Sequence, residues 1–191
     1  MGLDRSFLEG HEEKLIWADF QANAPGGSTS EAAFASARFD LNFDYDWDDA
    51  QGSAHGYRVG HVQVTVEIER SLMWSVKKDR SDAVLQHEQG HYDIVALLGR
   101  DLYNELSAWD SGTKPKRFRK ETDLKDEVNR TLRRYKKLAV EFAGSSSAVG
   151  TYDKKTKHGV DAKAQEKWTA GLATARTNGK PLVNALSGLR T

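Results

Sequence analysis

The chain has 191 residues and a mass of 21.3 kDa, which fits a single domain over residues 1–191. Its 28 basic and 28 acidic side chains give no net charge, so no overall field directs the molecule to nucleic acid or acidic lipid. The chain has no cysteine, which excludes disulfides, thiolate nucleophiles and cysteine-ligated metals. Any metal site must therefore use histidine, aspartate or glutamate.

Neither a leader nor a membrane span is predicted in the chain as written. The first ten residues lack the apolar run of about 7–15 residues that a signal peptide needs. No stretch of about 18 apolar residues occurs, so we expect no membrane span. Because a chain without cysteine fits oxidising and reducing compartments alike, the localisation stays open.

The first half of the chain is predicted to form strands. Residues 15–20 are a short β-rich run. Over residues 34–47 apolar and polar side chains alternate, and the alternation resumes over residues 57–69 with a phase shift near Gly60. These three runs predict an N-terminal antiparallel β-meander.

The second half is predicted to form helices. Apolar residues recur every three or four positions over residues 84–109 and again over residues 124–142. A third helix is expected over residues 161–177, ended by Asn178 and Gly179. The predicted fold class is therefore α+β, with the meander packed on the long first helix and further helices on the C-terminal side.

The two halves carry opposite charge. Residues 1–95 hold 17 acidic and 8 basic side chains (−9), and residues 96–191 hold 11 acidic and 20 basic (+9). Residues 114–137 alone hold 11 basic and 4 acidic side chains. This pattern is typical of a solvated helix face that covers acidic strands. Since no nucleic-acid motif accompanies it, we predict no nucleic-acid partner.

An H-E-x-x-H motif, formed by His87, Glu88 and His91, lies inside the first predicted helix. Two histidines one turn apart project from the same helix face, so both imidazoles can bind one Zn²⁺. Glu88 then lies beside the water that the metal activates and is the predicted general base. The alternative is an ordinary charged helix surface, on which Glu88 pairs with a lysine. Apolar flanking residues and the preceding strands favour the zinc site.

Three further segments accompany this motif: residues 15–20 (LIWADF), 70–76 (RSLMWSV) and 152–159 (YDKKTKHG), the last followed by Gln165 and Trp168. Together with the H-E-x-x-H segment, they resemble a bacterial family of predicted secreted zinc-dependent proteases, long catalogued as a domain of unknown function. The resemblance extends over roughly residues 13–170. It implies a zincin-like peptidase that acts on peptide or protein substrates. It also implies an extracytoplasmic location, which requires a leader that the chain as written does not show.

A catalytic zinc needs a third protein ligand and leaves its fourth position to water. The other imidazoles of the chain belong to His11, His55, His61 and His158. We predict His158 as the third ligand, because it lies in a glycine-flanked loop between two predicted helices and within the family-like motif.

Carboxylates are the alternative third ligands. Those nearest to this loop are Asp153, Asp161 and Glu166. Asp93 lies on the metal helix, the first predicted helix, which carries the H-E-x-x-H motif. It is about 200° around this helix from His91 and is expected to hold a neighbouring group instead of the metal.

Two aromatic residues are candidates for the substrate cleft. Tyr152, six residues before His158, is predicted to donate to the developing oxyanion. The alternative for Tyr152 is a packed aromatic ring whose hydroxyl is hydrogen-bonded within the protein. Trp74 stands just before the metal helix, where it is expected to line the cleft, whereas the other tryptophans are expected to pack in the interior.

The sequence thus predicts a zinc metallopeptidase in which His87, His91 and His158 bind Zn²⁺ and Glu88 is the general base. The alternative is a non-catalytic zincin-fold module that binds a partner through its groove or its basic helix face. Glu88 favours the enzyme, because binding alone needs no general base.

Overall fold

The structure is a computed structural model that describes residues 6–26, 31–49, 55–111, 115–144 and 151–189. The strands are β1 (Phe7–Glu9), β2 (Ala33–Phe34), β3 (Ala37–Asp48), β4 (Gly56–Ile68) and β5 (Trp74–Ser75). The helices are α1 (Asp82–Ser111), α2 (Glu121–Ala143), α3 (Thr151–Thr156), α4 (Ala162–Thr177) and α5 (Leu182–Ala185).

The long strands β3 and β4 pair antiparallel and form the main sheet. Their buried side chains follow the alternation of the sequence and include Phe39, Val59, Val62, Val64 and Val66. A register shift between Phe43 and Tyr45 confirms the phase shift expected near Gly60. There the carboxylate of Asp44 accepts a hydrogen bond from the backbone N–H of His61 and lies where a Cβ on Gly60 would stand.

The prediction of a three-stranded antiparallel meander is wrong in two respects. β1 lies farther toward the N-terminus than predicted and pairs with β4 in parallel, which gives the strand order β1-β4-β3. Residues 15–20 hold a single 3₁₀ turn, Trp17–Asp19, in place of a strand. The Asp19 carboxylate is the cause, because it accepts the N–H of Ile16 at 2.8 Å and closes the turn.

Helix α1 is the centre of the molecule and packs against β3, β4, α2 and α4. Its buried side chains recur at helical spacing and include Ile94, Leu98, Leu102 and Leu106. At Gly99 a Cβ would lie 3.0 Å from Val66, so the helix approaches the sheet closely. The predicted helices correspond to α1, α2 and α4, and the α+β class is confirmed. None of the helices described is long and apolar enough to span a membrane.

Ion pairs link the basic second half of the chain to the acidic strands. Arg117 contacts Asp48 at 2.6 Å, and Lys136 on α2 contacts Asp40 on β3 at 3.5 Å. These contacts fit the interpretation that the charge asymmetry serves internal packing.

Candidate metal centre

The H-E-x-x-H residues lie in the N-terminal third of α1, on the side that faces α3 and β2. His87 and His91 are both buried, and their ring centroids are 5.0 Å apart with the rings nearly perpendicular. Glu88 lies between them in sequence and is only 4% exposed. Three ionisable side chains on one buried helix face need polar partners from other elements.

Helix α3 brings a carboxylate to both histidines. Asp153 Oδ1 lies 3.0 Å from His87 Nε2 and 2.8 Å from His91 Nε2, and the side chain is 4% exposed. Burial acts to raise the pKa of Asp153, but its hydrogen bonds to the two imidazoles and their charge lower it well below its usual range. Burial acts to lower the pKa of His91, but the hydrogen bond to Asp153 and the charge of Glu88 raise it. The carboxylate is therefore an anion between two imidazoles.

The turn after α3 brings His158 to the same place. Its Nδ1 lies 3.7 Å from Asp153 Oδ1, and its side chain is 39% exposed. Lys157, His158 and Gly159 all have positive φ, which turns the chain sharply back toward α1. Ligand atoms of His87, Asp153 and His158 lie within 4.8 Å of one another. The predicted ligand His158 thus joins the cluster on its solvent side, and the carboxylate alternative Asp153 lies deeper.

The proton positions on His87 follow from its neighbours. The backbone carbonyl of His87 can only accept, so the Tyr152 hydroxyl, 3.2 Å away, must donate to it. The hydroxyl oxygen then accepts from Gln165 Nε2 at 2.6 Å, which turns Gln165 Oε1 toward His87 Nδ1 at 3.1 Å. His87 Nδ1 therefore donates to Gln165 Oε1, and Nε2 is the nitrogen that faces Asp153.

The same reasoning applies to His91. Its Nδ1 lies 3.1 Å from the backbone carbonyl oxygen of Ala143 at the end of α2, which can only accept. Nε2 of both imidazoles therefore faces Asp153 Oδ1. These three atoms stay at this distance because a proton on Nε2 or a cation lies among them. Imidazole nitrogens and a carboxylate oxygen held by outer hydrogen bonds are donors that could hold a metal ion.

Glu88 is held by the segment that follows β2. Its Oε2 accepts a hydrogen bond from the backbone N–H of Ala35 at 2.7 Å. Burial raises the pKa of Glu88, although the two histidines and the Ala35 N–H act in the opposite direction. A carboxylate with a raised pKa is a better proton acceptor than an ordinary glutamate.

Tyr152 lies under the cluster and is fully buried. Its ring stacks on His87 with centroids 4.8 Å apart and an interplanar angle of 13°. Burial raises the pKa of Tyr152 well above its usual range. A Cβ on Gly90 would lie 2.1 Å from the hydroxyl, so this glycine makes room for the ring. This placement matches the alternative of a packed ring whose hydroxyl is hydrogen-bonded within the protein.

The remaining candidates contact other groups. Asp161 caps α4 by accepting the N–H of Ala164, and Glu166 is exposed on α4. Asp93 accepts hydrogen bonds from Gln89 and Arg176.

The other histidines of the chain also contact groups outside the cluster. His61 contacts Asp44, His55 lies beside Trp47, and His11 lies beside Glu12.

A cavity of about 240 Å³ opens the cluster to solvent. Its lining includes His87, Glu88, His91, Asp153 and His158. Phe34 of β2 forms part of the opposite wall, and Trp74 is buried and stacks on Phe34 with centroids 6.3 Å apart. Trp74 therefore supports the wall through Phe34. The prediction that Trp74 itself lines the cleft does not hold for this cavity.

Two groups that hold the histidines were not predicted as site residues. Gln165 was noted only for the family resemblance, and a lone glutamine carries no signal of its own. The Ala143 carbonyl belongs to the backbone, which any residue would supply. Groups of this kind become recognisable only once the helices are placed.

Residues 8–159 match the family described as "Bacterial protein of unknown function (DUF922)". Because the match covers most of the chain, the protein belongs to this family. The description assigns the family no activity. Neither the curated proteins nor the solved structures contain a significant match to the chain.

Proposed function

We propose that the protein is a zinc-dependent peptidase. The observation that carries the proposal is that Asp153 Oδ1 lies within 3.0 Å of both His87 Nε2 and His91 Nε2, beside the buried Glu88 and on the wall of an open cavity. A metal with three protein ligands and an accessible fourth position is the arrangement of hydrolytic zinc sites.

Asp153 is the third ligand in this proposal. It contacts both helix histidines and is buried with them, whereas His158 lies 3.7 Å from the carboxylate and is exposed on the cavity side. If Asp153 and His158 both bound the metal, four protein ligands would close the site, which is typical of structural zinc. His158 is therefore the residue that faces the substrate.

When bound, Zn²⁺ supplies Lewis-acid activation of water and of the peptide carbonyl. Glu88 takes the proton of the attacking water and passes it to the leaving amine. Its Oε1 is the acceptor, because Oε2 already holds the Ala35 N–H. The Ala35 hydrogen bond also fixes the orientation of the carboxylate toward the cavity.

The test compares purified wild-type protein with the Glu88→Gln variant, both loaded with one equivalent of zinc. We expect the wild type to hydrolyse a mixed peptide library and Glu88→Gln to lose at least about 100-fold in rate, because general-base catalysis contributes about 10²–10⁴-fold. Equal rates for the two proteins would contradict the peptidase and favour the alternative, a zincin-fold module that only binds a partner.

The ligand assignment has its own test. Asp153→Asn and His91→Ala should each lose stoichiometric zinc in equilibrium dialysis, because each removes a ligand. His158→Ala should keep one zinc per chain. The reverse result, with zinc lost in His158→Ala and kept in Asp153→Asn, would restore His158 as the third ligand.

A further inference from the structure

A second cavity, of about 190 Å³, adjoins the one that holds the cluster. The two cavities share Phe34 and His91 in their walls. His91 is a metal ligand in the proposed function, so the second cavity begins next to the reacting centre. Neighbouring residues of an extended peptide are spaced by about 3.3–3.6 Å, so a peptide cleaved at the metal places a flanking side chain here.

The chemistry of the second cavity is apolar. Apart from His91 and Ser36, its lining side chains among the described residues are hydrocarbon, and they include Ala37, Val95, Ala139 and Val140. No charged residue is among them. Its volume is below the roughly 300–1,000 Å³ of pockets that enclose a whole small ligand, and suits one side chain.

Each of the two cavities has an exposed apolar residue in its lining. Val140, on the second cavity, is 56% exposed, and Val160, on the first, is 82% exposed. They are two of the five large apolar side chains that are exposed in the described part of the chain. Together with the hydrocarbon lining of the second cavity, these residues add apolar surface that an apolar substrate side chain can cover.

We propose that the second cavity is a specificity pocket that takes one aliphatic or aromatic side chain of the substrate, at the residue next to the bond that is cleaved. The preferred substrates are then peptides with leucine, isoleucine, methionine or phenylalanine at that position. This inference rests on the proposed peptidase function, because it places the pocket beside the zinc ligand His91.

Binding is tested with the zinc-loaded Glu88→Gln variant, which is expected to bind peptide without cleaving it. Two blocked pentapeptides, four glycines around a central leucine or serine, are compared by isothermal titration calorimetry. We expect leucine to be favoured at least about tenfold, because a single methylene in an apolar pocket already provides about 10–200-fold discrimination. With wild-type protein, mass spectrometry should place the cut at a bond next to the leucine.

Two pocket variants sharpen the test. Ala139→Phe fills the cavity, and Val140→Asp places a charge at its exposed rim, where the fold tolerates it. Both should reduce the leucine preference to less than about threefold while zinc content stays at one per chain. The same substitutions at Lys137, exposed on α2 and outside both cavities, are the matched controls and should leave the preference intact.

Equal affinity for the leucine and serine peptides, or a preference that survives in both Ala139→Phe and Val140→Asp, would overturn the specificity pocket. If zinc-dependent hydrolysis is seen in the same preparation, the peptidase function still stands. If the wild type cleaves no peptide at all, the proposed function fails, and so does a pocket defined by the bond that is cleaved.

Discussion

Gln165 sets the orientation of the His87 imidazole without lying at the metal position. Its Oε1 accepts from His87 Nδ1, and its amide nitrogen donates to Tyr152. We expect Gln165→Leu to weaken zinc binding by about 10–100-fold, as is typical when an outer hydrogen-bond partner of a ligand is removed. Competition with a chromophoric chelator measures the affinity. The same change at the exposed neighbour Glu166 should have no effect, and wild-type affinity in Gln165→Leu would refute the positioning role.

Removing the Tyr152 hydroxyl tests whether this residue stabilises the fold or takes part in catalysis. Because it is buried between Gln165 and the His87 carbonyl, Tyr152→Phe should lower the free energy of unfolding by about 1–3 kcal/mol. The rate of peptide hydrolysis should stay within tenfold of the wild type. Loss of hydrolysis at unchanged stability and zinc affinity would instead show that Tyr152 stabilises the oxyanion.

At the scale of elements, α1 and α3 meet at Gly90. A Cβ there would lie 2.1 Å from the Tyr152 hydroxyl and 2.5 Å from its ring carbon, both buried. Gly90→Ala should therefore destabilise the protein by about 1–3 kcal/mol or more, although alanine favours helix. Gly188→Ala, where a Cβ meets nothing within 4 Å, is the control. Urea unfolding curves measure the free energy of unfolding of each variant. A Gly90→Ala variant more stable than the wild type would show that α3 does not pack on this turn of α1.

The elements differ in how well the sequence predicted them. α1 has many turns of periodic apolar residues, so its period leaves no ambiguity. Residues 15–20 are too short for a period to be diagnostic, and the turn there depends on one side chain, Asp19, capturing a backbone N–H. β1 has three residues, and its parallel pairing with β4 depends on a distant partner.

The site residues also differ in how far the sequence alone could predict them. The spacing of His87 and His91 brings both to one face of α1, because helix geometry alone determines it. The choice between Asp153 and His158 depends on a turn with three consecutive positive φ angles, two of them at non-glycine residues, which composition does not reveal.

At the scale of the whole molecule, the proposed zinc joins segments that are far apart in the chain. Asp153 lies 66 residues after His87, and the cluster connects α1 to α3. Zinc at a hundredfold excess over its Kd should stabilise the fold by about 2.7 kcal/mol, or about 5–10 °C in melting temperature. Differential scanning calorimetry before and after chelation measures the shift. The His91→Ala variant should show none, and an unchanged wild-type melting curve after verified zinc removal would contradict this bridge.

The central claim is that His87, His91 and Asp153 hold one zinc ion. The most direct measurement is a crystal structure of the zinc-loaded protein with anomalous data collected on both sides of the zinc absorption edge. The account predicts one strong peak, present only above the edge, within about 2.0–2.2 Å of His87 Nε2, His91 Nε2 and an Asp153 carboxylate oxygen. A peak elsewhere, or none there with stoichiometric zinc supplied, would contradict it.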